Sequence, residues 1–364
     1  MSKPVYLTLC CALLFAGCSQ WTETIELKGH TRGINTITFS PDGTKVVTTS
    51  WDDTLRIWDA ESGKEMHLFK GHSIWYTAVA VSPDGKRLAT TSKDRIVRIW
   101  DVESGTELHQ LKYKDSSACP TFSPDGTKVI VVCGDETAFI WDTESGELLQ
   151  TLDWTADWSS SRVVFLGASF SPDGTKVVKA DGGRIVRIWD VETGEELQTL
   201  PHQNIDVPQT SAAIFLPCGT KIATGSTDNI VRIWDAETGK ELQRMEGHTD
   251  AIWSIASLPD GERIATSSPD GTARIWNIQS GKELHQFQAR RFFNNHSISV
   301  NAASFSSDGK RFVVGGKVWD VDSGKALQTL WKPFTYLQTA AISPDGKKVA
   351  MGYSNGTARI RTLE

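Results

Sequence analysis

Residues 29–63 read GHTRGINTITFSPDGTKVVTTSWDDTLRIWDAESG, and this stretch decides the fold. Ile34–Phe39 alternates apolar and polar residues, the period of a half-buried strand. Ser40-Pro41-Asp42-Gly43 then turns the chain, because Asp-Gly tolerates the backbone angles of a tight hairpin. Lys45–Thr49 and Thr54–Trp58 read as the second and third strands. Glu61-Ser62-Gly63 turns again into a fourth, Glu65–Phe69.

The unit repeats. The Ser-Pro-Asp-Gly turn or a near variant starts at Ser40, Ser82, Ser123, Ser171, Leu216, Leu258, Ser306 and Ser343. An Ile/Val-Trp end follows at Trp58, Trp100, Trp141, Trp189, Trp234, Trp276 and Trp319, at intervals of 41 to 48 residues. The eighth copy ends in Ala358-Arg359-Ile360-Arg361 and lacks the tryptophan. Glycine recurs at the last turn, from Gly63 to Gly324. Even spacing of short strands and turns means an all-β repeat architecture.

The last unit has three strands, near 337–342, 348–351 and 357–361, and the sequence stops at Glu364. Residues 23–27 look like an outer strand with no unit before them. They are expected to dock on the last unit and close a ring, since a lone sheet leaves two faces and two edges bare.

Gly-His, Ser-Pro-Asp-Gly and Trp-Asp at this spacing resemble the WD40 repeat, over residues 23–364. The resemblance implies an all-β, eight-bladed WD40-type β-propeller closed by an N-terminal strand pairing with the C-terminal blade. It also implies a structural hydrogen-bonded set in each unit. Three units match throughout: His30, Thr48, Asp52 and Trp58; His72, Thr90, Asp94 and Trp100; His248, Thr266, Asp270 and Trp276. An aspartate joined to a histidine and a hydroxyl has the composition of a catalytic triad. Its recurrence argues for a structural role, because a catalytic site would occur once.

Other units depart. The third has Asp135 with Tyr113 at the histidine position. The fourth has Gly183 for the aspartate. The fifth keeps Thr224 and Asp228, with His202 set early. The seventh shortens to Val314-Gly315-Gly316-Lys317, and the eighth has Asn355. Blades three, four, seven and eight are therefore expected to be looser.

In propellers of this family, ligands often meet the face made by two loops. One joins the outer strand to the next blade, and the other joins the second and third strands. Repeat register puts Asn35, Trp51, Trp75, Thr77, Lys93, Trp253, Tyr336 and Gln338 on that face. All eight are candidate partner-binding positions, and because ring closure makes blades eight, one and two neighbours, Tyr336, Gln338, Asn35, Trp51, Trp75 and Lys93 are candidates for one aromatic patch. Two insertions, 153–162 and 289–295, lie on the same side; loops on a rigid scaffold carry function or are tolerated length.

The first residues read differently. Lys3, an apolar run from Val5 to Ala16 and small residues after it give residues 1–17 the layout of a signal peptide. Leu14-Phe15-Ala16-Gly17-Cys18 resembles the lipobox of bacterial lipoproteins, although Phe15 departs from its small aliphatic residue. The resemblance implies lipidation at Cys18 and a tether over 18–22. It also implies an envelope location facing the periplasm or cell surface, with Ser19 favouring the outer membrane. An ordinary cleaved signal is the alternative.

The net charge is −6 and no run of Lys and Arg occurs, which argues against a nucleic-acid partner. No stretch of 18 apolar residues is present, so membrane contact is expected only through the lipid. Cys119, Cys133 and Cys218 fit no zinc spacing. Cys119 and Cys133 fall on one hairpin, as packed thiols or a disulfide. No phosphate loop, nucleophile elbow or metal motif is present. The expectation is a monomeric, non-enzymatic scaffold without cofactor or metal, binding an unidentified protein. A carbohydrate- or envelope-binding propeller and a propeller enzyme such as a lactonase are the alternatives.

Overall fold

A computed structural model of the chain describes residues 24–70, 76–113, 118–133, 137–153, 168–180, 185–202, 210–288, 304–330 and 337–363. These form eight four-stranded antiparallel sheets and no helix. Blades 1 to 8 occupy 34–69, 76–112, 118–153, 168–201, 210–245, 254–288, 304–329 and 337–362. Blade 1 is Ile34–Phe39, Lys45–Ser50, Leu55–Asp59 and Glu65–Phe69, within one residue of the strands read from sequence. Seven sheets follow chain order. The eighth takes Thr24–Leu27 as its outer strand, paired Thr24 with Arg361 and Leu27 with Ala358.

The core lies between blades. Each of eight apolar clusters bridges two neighbours; one joins Leu55, Ile57 and Phe69 of blade 1 to Leu88 and Trp100 of blade 2. The seam is built alike, with Leu27, Ala350 and Ile360 packed on Ile34, Val46 and Trp58. A blade's two faces are buried only by its neighbours, so the ring forms as a unit.

Two further contacts repeat around the ring. On the channel side, each turn proline packs on the next blade's turn glycine, as Pro41 does on Gly85 and Pro344 on Gly43. Blade 7 has Ser307 in place of proline, and its N–H donates to the Pro344 carbonyl at 2.7 Å. On the outside, the third residue of six outer strands reaches the next blade's last turn. His67 Nε2 donates to the Glu103 carbonyl at 2.9 Å, His109 to Glu144 at 2.9 Å and His285 to Asp322 at 3.0 Å. The ring of His67 crosses Gly105, whose φ is +71° and whose Cβ, if present, would lie 2.5 Å from Nδ1. Only glycine meets both conditions. At the seam Ile25 covers Gly63 in the same way.

Cys119, Cys133 and Cys218 are free. Cys119 pairs with Val132 and Cys133 with Ala118, so successive residues point to opposite faces and the two thiols do not meet. The disulfide alternative is therefore not realised.

Candidate functional site

The histidine sets come first, because they look catalytic. His30 Nδ1 donates to Asp52 Oδ2 at 3.0 Å, and its Nε2 accepts from Thr48 Oγ1 at 2.7 Å. Trp58 Nε1 donates to the same Thr48 oxygen at 2.8 Å. Asp52 also takes the Thr31 N–H and the Thr54 hydroxyl. Blade 6 repeats this: His248 bonds Asp270 at 2.7 Å and Thr266 at 2.8 Å, and Trp276 bonds Thr266 at 2.8 Å. Every donor has an acceptor, with the tautomer assigned from the network. Burial lowers the pKa of both histidines against the pull of their aspartates, so both are neutral at pH 7. Burial works against Asp52 too, but the hydroxyl, N–H and histidine around it hold its carboxyl below the ordinary value.

In blade 2, Trp100 donates to Thr90 at 2.8 Å and Asp94 pairs with Arg98 at 2.8 Å; His72 lies outside the described residues. The fifth unit corrects the sequence reading. His202, counted as displaced, reaches Thr224 at 3.1 Å, and Trp234 bonds that threonine at 2.8 Å. Asp228 turns to Arg232 at 2.6 Å instead. Burial, with Arg232 beside it, brings the His202 pKa to about 3. The insertion before blade 5 thus preserves the histidine and changes only its third partner.

The third unit is corrected the other way. Tyr113 does not take the histidine's place; its hydroxyl donates back to the Ser92 carbonyl of blade 2 at 2.9 Å. Blade 3 has Val131 at the threonine register, packed with Tyr113, Phe139 and Trp141 as an apolar cluster. Trp319 of blade 7 donates to the Val314 carbonyl at 3.3 Å. In blade 8, Asn355 Oδ1 accepts the Thr357 N–H at 3.0 Å, as Asp52 accepts that of Thr54. Lys179 occupies the threonine register of blade 4 and is buried. Asp135 and Gly183 lie outside the described residues.

The candidate binding face is partly described. Trp75 and Tyr336 lie outside the described residues, and so does the side chain of Thr77; the two insertions are also largely outside them. Lys93 is exposed, while Asn35, Trp253 and Gln338 are half-buried. Trp51 is 41% exposed and is the only exposed aromatic among the described residues. Its backbone N–H donates to the Gly33 carbonyl at 3.0 Å, and Arg32 donates to the Trp51 carbonyl at 3.3 Å. A Cβ on Gly33 would lie 3.3 Å from Trp51 Cδ1, 2.9 Å from Gln338 Oε1 and 2.9 Å from the Ser354 carbonyl. Glycine there lets side chains of blades 1 and 8 converge. Trp253, in blade 6, belongs to another part of the rim.

At the axis, the inner strands of blades 7, 8, 1 and 2 line a cavity of about 550 Å³. Its wall is hydroxyl and apolar, with Thr36, Thr38, Ser304 and Thr339 beside Ala80, Ala341 and Pro344, and none of its described lining residues is charged. No group of His, Cys, Asp and Glu suited to a metal occurs among the described residues.

A family model for the WD domain, G-beta repeat, matches residues 21–59, 63–101, 107–142, 194–235, 239–277 and 287–320. The chain belongs to the WD40 repeat family. Similarity of this WD40 chain to individual proteins is confined to about one repeat. A ribosome biogenesis protein WDR12 homolog of Drosophila persimilis is 43% identical over 49 residues, 12% of either chain. The small ribosomal subunit protein RACK1 of Candida albicans is 41% identical over 44 residues, 12% of this chain and 14% of that one. Ribosome assembly protein 4 of Chaetomium thermophilum is 41% identical over 39 residues, 11% and 8%. The chain thus spans a small fraction of the relatives it matches.

One repeated feature of the WD40 ring escaped the sequence reading. An arginine two residues before the tryptophan meets the glutamate that opens the outer strand: Arg56 with Glu65, Arg98 with Glu107 at 3.0 Å, Arg187 with Glu196 at 3.2 Å and Arg274 with Glu283 at 2.5 Å. The recurring Arg-Ile-Trp followed by Gly-x-Glu carried that signal.

Proposed function

We propose that this WD40 propeller is a non-enzymatic protein-interaction scaffold of the bacterial cell envelope. It is held by a lipid on Cys18 and engages a protein partner through the loop face of blades 8, 1 and 2. The observation that carries this reading is the convergence of Trp51 and Gln338 on Gly33. An exposed indole beside a polar amide, on a rigid ring, is the composition of an interface hot spot. The similar proteins are named for ribosome biogenesis and the ribosomal subunit; with one repeat matched, only the scaffold role of the repeat is carried over.

The closing strand gives the proposed orientation. Thr24 pairs with Arg361 at the end of the Glu-Ser-Gly turns, and the chain then runs toward the face of Trp51. Residues 19–22 span at most about 14 Å. The anchor would then sit beneath the ring and the aromatic face would point away from the bilayer.

Crosslinking capture from the native envelope tests the reading, with wild type against a Trp51→Ala, Trp75→Ala double variant. Loss of a discrete protein band is expected. An unchanged capture profile in the variant refutes it, and retention by purified glycan in place of protein would favour the carbohydrate alternative.

A further inference from the structure

The loop face of blades 1 and 2 gathers charge of one sign. Lys28, Arg32, Lys70, Lys93 and Arg95 are all exposed there. Arg32 donates to the Trp51 carbonyl at 3.3 Å, which ties a guanidinium to the residue that carries the exposed indole. Lys93 directly follows the second strand of blade 2, as Trp51 follows that of blade 1. Arg95 lies two residues on, and its carbonyl accepts the Tyr113 N–H at 3.1 Å, so this turn borders the entry to blade 3. The carboxylates described in the same loops are not exposed. Asp52 takes the Thr31 N–H and the Thr54 hydroxyl, and Asp94 pairs with Arg98 at 2.8 Å. The acid near Lys28, at 3.7 Å, is Glu26 on the outer strand. Blade 6 fills matching positions with the opposite charge. It shares the histidine set of blade 1, so the two can be aligned on His248 and His30. Where blade 1 has Lys28 and Arg32, blade 6 has Glu246 and Asp250, both exposed, and where blade 1 has Trp51 it has Pro269.

We propose that the sector over blades 1 and 2 takes an acidic segment of the protein partner, a stretch of Asp and Glu side chains laid beside Trp51. The inference rests on the binding face proposed above and names the chemistry of its occupant. One exposed ion pair is weak, but several cations of one sign raise a common potential that steers and orients an oppositely charged segment. The chain carries a net charge of −6, so this sector stands against the sign of the whole molecule. An acidic segment displaced around the ring to blade 6 would meet Glu246 and Asp250 and be repelled, which fixes the register of the partner. The anchor proposed at Cys18 turns this face from the bilayer, so the anion is assigned to a protein and not to lipid headgroups.

The test uses a displayed library of random short peptides, selected at low salt on the whole protein. Peptides that depend on Trp51 are expected to be enriched in Asp and Glu. For one such peptide, Arg32→Gln, Lys93→Gln and Arg95→Asn together should weaken binding about tenfold or more at low salt, and much less at about 0.5 M salt. Asparagine is chosen at position 95 because it tolerates the φ of +63° there. The charge-keeping triple variant Arg32→Lys, Lys93→Arg and Arg95→Lys should bind as the wild type does, which separates loss of charge from loss of fold. Glu246→Gln with Asp250→Asn should not weaken binding. Selected peptides that ignore Trp51→Ala, or a failure to select any, would remove the face and this inference together. Peptides that need Trp51 but show no excess of acids, or that bind the neutralised triple variant as tightly as the wild type, would leave the face standing and overturn the acidic partner. Capture by phosphatidylglycerol vesicles in place of peptides, lost in the same triple variant, would overturn it in favour of a lipid surface.

Discussion

Arg359 Nη2 lies 3.6 Å from Glu26 Oε1, joining the last strand of the chain to the first described one. Both side chains are partly exposed, so the pair itself is worth under about 1 kcal/mol. The seam is held by what surrounds it. Leu27 is buried among residues of blades 8 and 1, Ile25 covers Gly63, and Lys348 of blade 8 meets Glu61 of blade 1.

Leu27→Ala should therefore destabilise the protein by about 2–5 kcal/mol, and Glu26→Gln by under about 1 kcal/mol. Chemical denaturation of the two variants measures the difference. Deleting residues 21–28 should open the ring; a deletion that melts at the wild-type temperature refutes strand closure.

Trp276→Ala should cost about 3–5 kcal/mol, since the ring is buried and its N–H satisfies a threonine. Trp319→Phe should cost less than Trp276→Phe, because the Trp319 N–H has only a carbonyl at 3.3 Å. Equal losses in the two phenylalanine variants would show that the hydrogen-bonded set contributes nothing beyond packing.

Stability should fall between pH 6.5 and 4. His202 has a folded pKa of about 3 against 6.5 unfolded, so its contribution is complete above 6.5 and drains as the pH falls toward 3. Across that window the unfolded chain takes a proton the fold refuses, at about 1.4 kcal/mol per pH unit. His30 and His248, also lowered, act in the same direction. His202→Gln should flatten the dependence measured by thermal melts, and a variant with the wild-type slope would count against this assignment.

Gly105→Ala should destabilise by at least about 1–2 kcal/mol, from φ +71° and the contact with His67. Adding His67→Ala should recover part of the loss, because it removes the contact and leaves the backbone strain. No recovery would mean that the histidine does not latch the blades.

Cys18→Ser should release the protein from membranes into the soluble fraction and abolish palmitate incorporation. Unchanged fractionation would argue for an ordinary cleaved signal.

Much of the histidine network was legible, because its members recur in fixed register within single repeats. Its exceptions were not. Tyr113 occupies a register slot yet bonds backward to blade 2, and His202 sits outside its slot yet reaches Thr224. Register assumes a constant loop path, and both residues lie where loop length or side-chain reach changes it. The meeting of Trp51 with Gln338 was legible only as a neighbourhood; that both press on Gly33 follows from ring closure.

By itself the sequence determined the blade count, the strand limits of blades 1 and 8 to within two residues, and the strand that closes the ring. Alternation, turn chemistry and tryptophan spacing are local properties, and eight copies repeat them. Only the tertiary structure decided which groups meet across blades: the outer histidines over the next blade's glycines, Tyr113 on the Ser92 carbonyl, and Trp51 and Gln338 on Gly33. Those depend on distances between residues far apart in the chain, which circular closure sets and no local pattern encodes.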